Sequence, residues 1–172
     1  MKNKFKEISP EEIQDNVFKL IGSDWMLITA SSMDSYNTMT ASWGGLGVLW
    51  GDNVSFCFIR PQRHTYNFIE KSEYFTLSFF DEKYKDALQF CGSHSGRDVD
   101  KAKATGLTPV EEDGTIYFSE ARLVVVCRKI YYQDIEPSNF LVPNLKNNYL
   151  NNDYHRMYIG KVIKCLAGTA YI

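Results

Sequence analysis

Asn37-Thr38-Met39-Thr40-Ala41-Ser42-Trp43-Gly44-Gly45 is a run of small hydroxyl and amide residues around one Met and one Trp, ending on two glycines. It sets hydrogen-bond donors beside flat apolar surface, a combination suited to a planar heteroaromatic ligand. It also lies among four strands that follow one another quickly. Trp25 to Ala30 reads as the first, a turn falls around Asp34-Ser35, and Tyr36 to Trp43 reads as the second. Gly44 to Gly47 bends the chain into Val48-Leu49-Trp50, and Gly51-Asp52-Asn53 makes a tight connection into Val54 to Ile59. Connections this short need antiparallel neighbours, so a barrel or sandwich is expected, not a parallel sheet built from crossover helices.

After these strands comes Arg60-Pro61-Gln62-Arg63-His64-Thr65, where an extended segment gives way to a short helix over His64 to Lys71. Guanidinium forks supply charge-assisted donors, and the first N–H groups of a helix point outward unpaired, so Arg60, Arg63 and Thr65 are placed to hold a phosphate. The plain alternative is a pair of solvated arginines. For Met39 and Trp43 it is ordinary core packing. A ring platform and a phosphate clamp together suggest flavin mononucleotide (FMN).

The remaining elements follow from periodicity and caps. Ser9, Pro10 and Glu12 write out a helix start, Ile13, Val17, Leu20 and Ile21 give it one apolar face, and Gly22 ends it. Tyr74 to Phe80 is a strand and Asp81 to Phe90 a helix with Asp81 as its cap. Asp98 caps a helical turn over Val99 to Ala104, stopped at Gly106. Ile116 to Phe118, Ala121 to Asp134 and Tyr154 to Tyr171 are strands, with an Asn-rich irregular crossing from Ile135 to Asn152. No repeat or low-complexity linker divides the 172 residues, so a single domain is expected, mainly β with helical insertions.

The order Asn-x-Met-Thr-Ala-Ser-Trp, Arg-Pro-x-Arg-x-Thr and then Ser95-Gly96-Arg97-Asp98-Val99-Asp100-Lys101 resembles the flavin reductase and flavoredoxin family of FMN-binding split barrels. The likeness covers roughly Leu20 to Tyr132, with a weaker echo at His155 to Lys164. It implies an antiparallel split β-barrel of six or seven strands, and a homodimer with the flavin near the subunit interface. It also implies that Asn37, Met39, Thr40, Ala41, Ser42 and Trp43 line the isoalloxazine, that Arg60, Arg63 and Thr65 contact the phosphate, and that the loop carrying Ser95 and Arg97 lies close by. The Asn144 to Asn152 segment departs from the family pattern.

The expected activity is an NADH- or NADPH-dependent flavin reductase, passing hydride to flavin N5. The alternative is a flavoredoxin-like electron carrier that serves a redox protein partner and has no nicotinamide activity of its own. Hydride transfer needs no acid or base side chain, so no catalytic residue is assigned. Gly45-x-Gly47 lacks the third glycine and the helix of a dinucleotide loop, so a nicotinamide donor docks transiently. Haem is disfavoured because Asn37 to Trp43 holds no His; a cofactor-free binding module is the remaining reading.

Composition excludes other classes. Hydrophobic residues make up 44% and the net charge is -2 from 19 basic and 21 acidic residues, an ordinary globular balance without the basic stripe of a nucleic-acid binder. No apolar run reaches the ~18 residues of a membrane span, and Met1 to Glu7 is charged with no apolar core behind it. A cytoplasmic protein is expected. Cys57, Cys91, Cys127 and Cys165 have no metal-ligand spacing and read as buried small hydrophobes.

Overall fold

The computed structural model describes residues 5–32, 35–169 and 171. The turn expected around Asp34 and the first four residues fall outside these. The main sheet has eight strands: β1 (Phe5–Ile8), β2 (Met26–Ser32), β3 (Ser35–Ala41), β4 (Gly44–Leu49), β5 (Asp52–Ile59), β6 (Tyr74–Phe79), β9 (Leu123–Asp134) and β10 (Arg156–Gly168). Their order is β3-β2-β6-β9-β10-β5-β4, every pairing is antiparallel, and β1 is an added partner of β10. A separate hairpin joins β7 (Pro109–Glu112) to β8 (Thr115–Phe118).

Strand β10 carries this arrangement. One of its edges pairs with β9 from Arg156↔Asp134 to Ala167↔Leu123. Its other edge is divided, Arg156 to Lys161 pairing with β5 and Cys165 to Gly168 with β1. The ladder with β9 shifts register at Ile159/Gly160 and at Val162/Lys164, and such bulges bend a long strand around a barrel. The ladder does not close: β3 and β4 stand at its two ends, linked by Ser42 and Trp43.

Alternation along the strands separates two cores. Ile28, Val125 and Cys165 join the cluster that includes Met39, Phe75 and Tyr158, whereas their neighbours Leu27, Val124 and Leu166 face the opposite side with Leu88, Ala102 and Phe118. Both faces of the central strands are therefore buried, which accounts for the unbroken apolar run Leu123 to Val126. All four cysteines are buried and free, and burial raises their thiol pKa values.

The helices sit on the outside: α1 (Val17–Lys19), α2 (His64–Lys71), α3 (Lys85–Ser93) and α4 (Lys101–Thr105). The single helix expected from Pro10 to Ile21 is broken. The Glu12 carboxylate does accept the Ser9 N–H at 2.7 Å, but only a 3-10 turn, Pro10–Glu12, follows. Asp15 is drawn instead to both terminal nitrogens of Arg122, at 2.8 and 3.2 Å. Asn16 then starts α1 by accepting the Lys19 N–H, and the chain runs past Gly22 to Asp24 as a π turn.

Other boundaries also moved. Gly44 to Gly47 is strand, not bend, because glycine lets β4 approach β5; a Cβ on Gly44 would stand 2.6 Å from the Phe56 carbonyl oxygen. The tight turn is Trp50-Gly51, both with positive φ as a type I′ hairpin demands. Asp81 makes no side-chain cap, and a 3-10 turn at Glu82–Tyr84 leads into α3. Asp100, not Asp98, caps α4 by accepting the Lys103 N–H at 3.1 Å. The crossing from 135 to 152 holds two 3-10 segments, Pro137–Asn139 and Pro143–Tyr149.

Gly160 shows how tightly β10 is packed. A Cβ there would lie 2.5 Å from Phe75 Cζ and 2.7 Å from Cys127 Cβ. Gly160→Ala is therefore expected to cost about 1–3 kcal/mol of stability in urea unfolding. Adding Phe75→Leu should restore part of that loss in the double variant, although Phe75→Leu alone destabilises.

Candidate functional site

Where β3 runs out at Ala41 and β5 ends at Ile59, a cleft of about 340 Å³ opens, lined by Met39, Thr40, Ala41, Ser42, Trp43, Phe58, Arg60, Gln62, Arg63 and His155. A larger hollow of about 680 Å³ lies elsewhere, against the N-terminal segment. There Arg122 is already paired with Asp15 and Asp24, and Lys19 with Asp24. In the smaller cleft, Arg63 pairs with no carboxylate among the described residues.

Its apolar wall comes from β3 and the link to β4. Met39 is only 6% exposed and belongs mainly to the barrel core, so it offers one edge to the cleft. Trp43 is 46% exposed at the mouth, its ring centroid 5.1 Å from that of His155. The Thr40 hydroxyl donates to the Leu88 carbonyl of α3 and is not directed into the cleft. Its backbone can still serve. As an end strand, β3 presents alternate main-chain groups with no ladder partner on its outer edge. The Thr38 carbonyl on that edge accepts from Lys101, and strand parity places the Thr40 N–H on the same edge.

Asn37 and Thr65 are buried beneath the cleft, where the Asn37 side-chain amide donates to the Thr65 hydroxyl at 2.6 Å. They tie β3 to the first turn of α2 and fix where that helix starts. Gly96 packs on the same amide; a Cβ there would fall 1.8 Å from Asn37 Oδ1. The loop carrying Ser95 and Arg97 is thereby pressed against β3. Arg97 Nη1 donates to the Gln62 carbonyl at 3.3 Å, and the Ser95 hydroxyl accepts the Arg97 N–H, so both residues sit at the rim.

Two arginines bound the polar end. Arg63 Nη2 donates to the Gly92 carbonyl at 2.9 Å, and among the described residues no carboxylate pairs with it. Burial, and next the nearby Arg60 charge, lower its pKa. Arg60 is differently placed: Nη1 meets Asp153 Oδ2 at 2.5 Å and Nη2 donates to the Asn148 carbonyl at 2.9 Å. His64, in the first turn of α2, has a buried Nδ1 with no partner among the described residues. Lys101 is buried behind this region, its ammonium donating to the Thr38 and Cys91 carbonyls at 2.8 and 2.7 Å, and burial pushes its pKa down to about 8.

Residues 18–170 match the family described as flavin reductase like domain. The chain belongs to this family. No curated protein sequence matches it significantly. Among solved structures it is similar to an FMN-binding domain of a flavin reductase-like enzyme from Shewanella baltica OS155, at 20% identity and TM-score 0.70 over 98% of this chain and 80% of that one. It is also similar to the flavoredoxin of Desulfovibrio vulgaris (Miyazaki F), at 20% identity and TM-score 0.68 over 95% and 78%. A third is an NADH:FAD oxidoreductase of Streptomyces globisporus C-1027 in complex with NAD and FAD fragments, at 14% identity and TM-score 0.64 over 86% and 76%. At these identities the likeness establishes the fold, which is the split barrel of the flavin reductase like family.

Three cleft residues escaped the sequence reading. Phe58 and Gln62 flank the Arg60 segment, and their neighbourhood to the motif was the available signal. His155 comes from the far end of the chain and reaches the cleft because β10 pairs with β5. His94 lies outside: its ring stacks on Phe90 at 3.9 Å on exposed surface. Among the described residues no cluster of His, Cys, Asp and Glu could hold a metal ion, and no helix is long and apolar enough to cross a membrane.

His155 Nδ1 shares a hydrogen bond with the Tyr149 hydroxyl at 2.9 Å, and burial, then the Arg60 charge, lowers its pKa to about 4. In the unfolded chain the imidazole binds a proton from about pH 6.5 downward, so it contributes stability that is complete above that pH and is lost as pH falls toward about 4. His155→Gln removes this titration. Thermal melts from neutral pH to about 4 should therefore fall less steeply for the variant than for the wild type.

Proposed function

We propose that the chain is a flavoprotein that binds FMN non-covalently in this cleft and works as an NADH- or NADPH-dependent flavin reductase. The observation that carries this reading is the donor set: Arg63, Arg97 and the first turn of α2 at one end, with Met39 to Trp43 along one wall. Arg63 has donors to spare, which suits a phosphate monoester. The orphaned Nδ1 of His64 beside them is consistent with a site that is completed by a polar ligand.

FMN supplies the hydride-accepting chemistry when bound. The chain's own residues orient and tune it. The Thr40 N–H on the free edge of β3 is positioned to stabilise negative charge that builds at the pyrimidine edge of the ring on reduction. Asn37 and Thr65 hold β3 and α2 at a fixed spacing, so ring and phosphate ends keep their separation. The exposed face of Trp43 leaves the mouth open to a transient nicotinamide, in line with the absence of a second phosphate loop from the sequence.

Homodimerisation belongs to the same reading. Trp50 and Tyr131, with ring centroids 6.0 Å apart, form an exposed aromatic pair, the kind of surface a second copy would cover. A flavoredoxin-like carrier is the second reading. Leu141, Val142, Leu145 and Leu150 stand exposed on the segment that crosses beside the cleft, a surface that would suit a redox protein partner in the cytoplasm.

Fluorescence titration with FMN and spectrophotometric oxidation of NADH and NADPH test the proposal. Arg63→Ala should weaken FMN binding by about ten- to a hundredfold with an unchanged far-ultraviolet circular dichroism spectrum; unaltered affinity would sink the clamp. Turnover of either nicotinamide with added FMN supports the reductase. Tight FMN binding without turnover supports the carrier.

A further inference from the structure

Several guanidinium–carboxylate pairs occur among the described residues, and the one between Arg60 and Asp153 differs in leaving a buried carboxylate oxygen without a partner. Arg122 meets Asp15 through two nitrogens and both carboxylate oxygens, at 2.8 and 3.2 Å. Arg156 meets Asp134 likewise, at 2.7 and 2.8 Å. Arg60 touches only Oδ2 of Asp153, and the Gln62 amide donates to that same oxygen at 2.5 Å. The other oxygen, Asp153 Oδ1, is buried and has no hydrogen-bond partner among the described residues.

Two-armed contacts satisfy a carboxylate; this one leaves half of it desolvated and unpaired, which costs free energy. Asp153 is therefore held less firmly than Asp15 or Asp134. Its position is also one where an anion on a ligand would compete. Arg60 lines the cleft beside Arg63, and its second nitrogen and its flat face are already occupied by the Asn148 carbonyl and the Tyr149 ring, 5.2 Å from the guanidinium carbon. A phosphate approaching Arg60 would thus compete with Asp153 for the guanidinium charge and, at Nη1, for the donor itself.

We propose that Asp153 is an internal counter-anion that occupies Arg60 in place of a ligand phosphate and so sets how strongly the cleft prefers a phosphorylated flavin over an unphosphorylated one. This rests on the flavin-binding reading above. Phosphate engages Arg63 and Arg97 directly, whereas its gain from Arg60 is offset by displacement of Asp153. The wild type accordingly discriminates between FMN and riboflavin less than it would with the Arg60 guanidinium unpaired. Asp153 directly follows the Asn-rich crossing, outside the motifs that carry the family resemblance.

The test compares dissociation constants for FMN and for riboflavin, measured by quenching of flavin fluorescence. Asp153→Asn keeps an oxygen for the Gln62 amide and removes the charge. It should tighten FMN by about tenfold, the effect of one unit charge seen through partly solvated protein, and leave riboflavin unchanged. In an Arg60→Gln background the same substitution should lose most of that gain. An unchanged FMN-to-riboflavin ratio in Asp153→Asn, or an equal gain with Arg60 absent, overturns the proposal while flavin binding stands. Failure of the wild type to bind either flavin overturns the flavin reading and this inference with it.

Discussion

A thirteen-residue strand has backbone N–H and C=O groups to satisfy along both edges, and β10 meets most of this need by dividing one edge between two strands. Unpaired buried backbone groups are too costly for any other outcome. That division fixes much of the rest. It places β5 against the first half of β10 and so brings Arg60, just beyond β5, beside His155, which just precedes β10. It seals the second half with β1, leaving the barrel covered at the end away from the cleft. The site is the place where the ladder fails to close, between the end strands β3 and β4.

Basic side chains predominate at this opening. Arg60, Arg63, Arg97 and Lys101 all stand around the start of α2 and the loop after α3, and Asp153 is the acid that pairs with one of them. Lys101 is spent on two carbonyls that hold β3 to α3, so its contribution is a fixed positive field behind the free edge of β3. A buried ammonium with carbonyl partners is costly to place. Here it also keeps together the two elements that frame the cleft.

Local signals in the sequence carried far. The change from strand to helix at Arg63 was readable to the residue, since α2 runs from His64 to Lys71. The Met39 to Trp43 wall and the two arginines also come together as their motifs imply. What stayed hidden depended on partners distant in sequence. Nothing near Asp15 announces Arg122, yet that pair breaks the expected N-terminal helix. Gly44 to Gly47 looked like a bend because a strand's need for close approach to Phe56 is invisible until β5 is in place. The Asp113-Gly114 dipeptide was a hairpin signal that could have shown β7. Asp153 could not have been found, because its role exists only through Arg60, 93 positions away in the chain.

The contact between Phe75 and Gly160 has a consequence for how such a chain can vary. The phenylalanine ring of β6 fills the space that a side chain on β10 would need, so the two strands share a single volume. Neither position can drift alone: a larger residue at 160 requires a smaller one at 75, and a smaller one at 75 leaves a void unless 160 grows. Two sites 85 residues apart must therefore change together or remain as they are, a dependence that descends from packing and is silent in any single sequence.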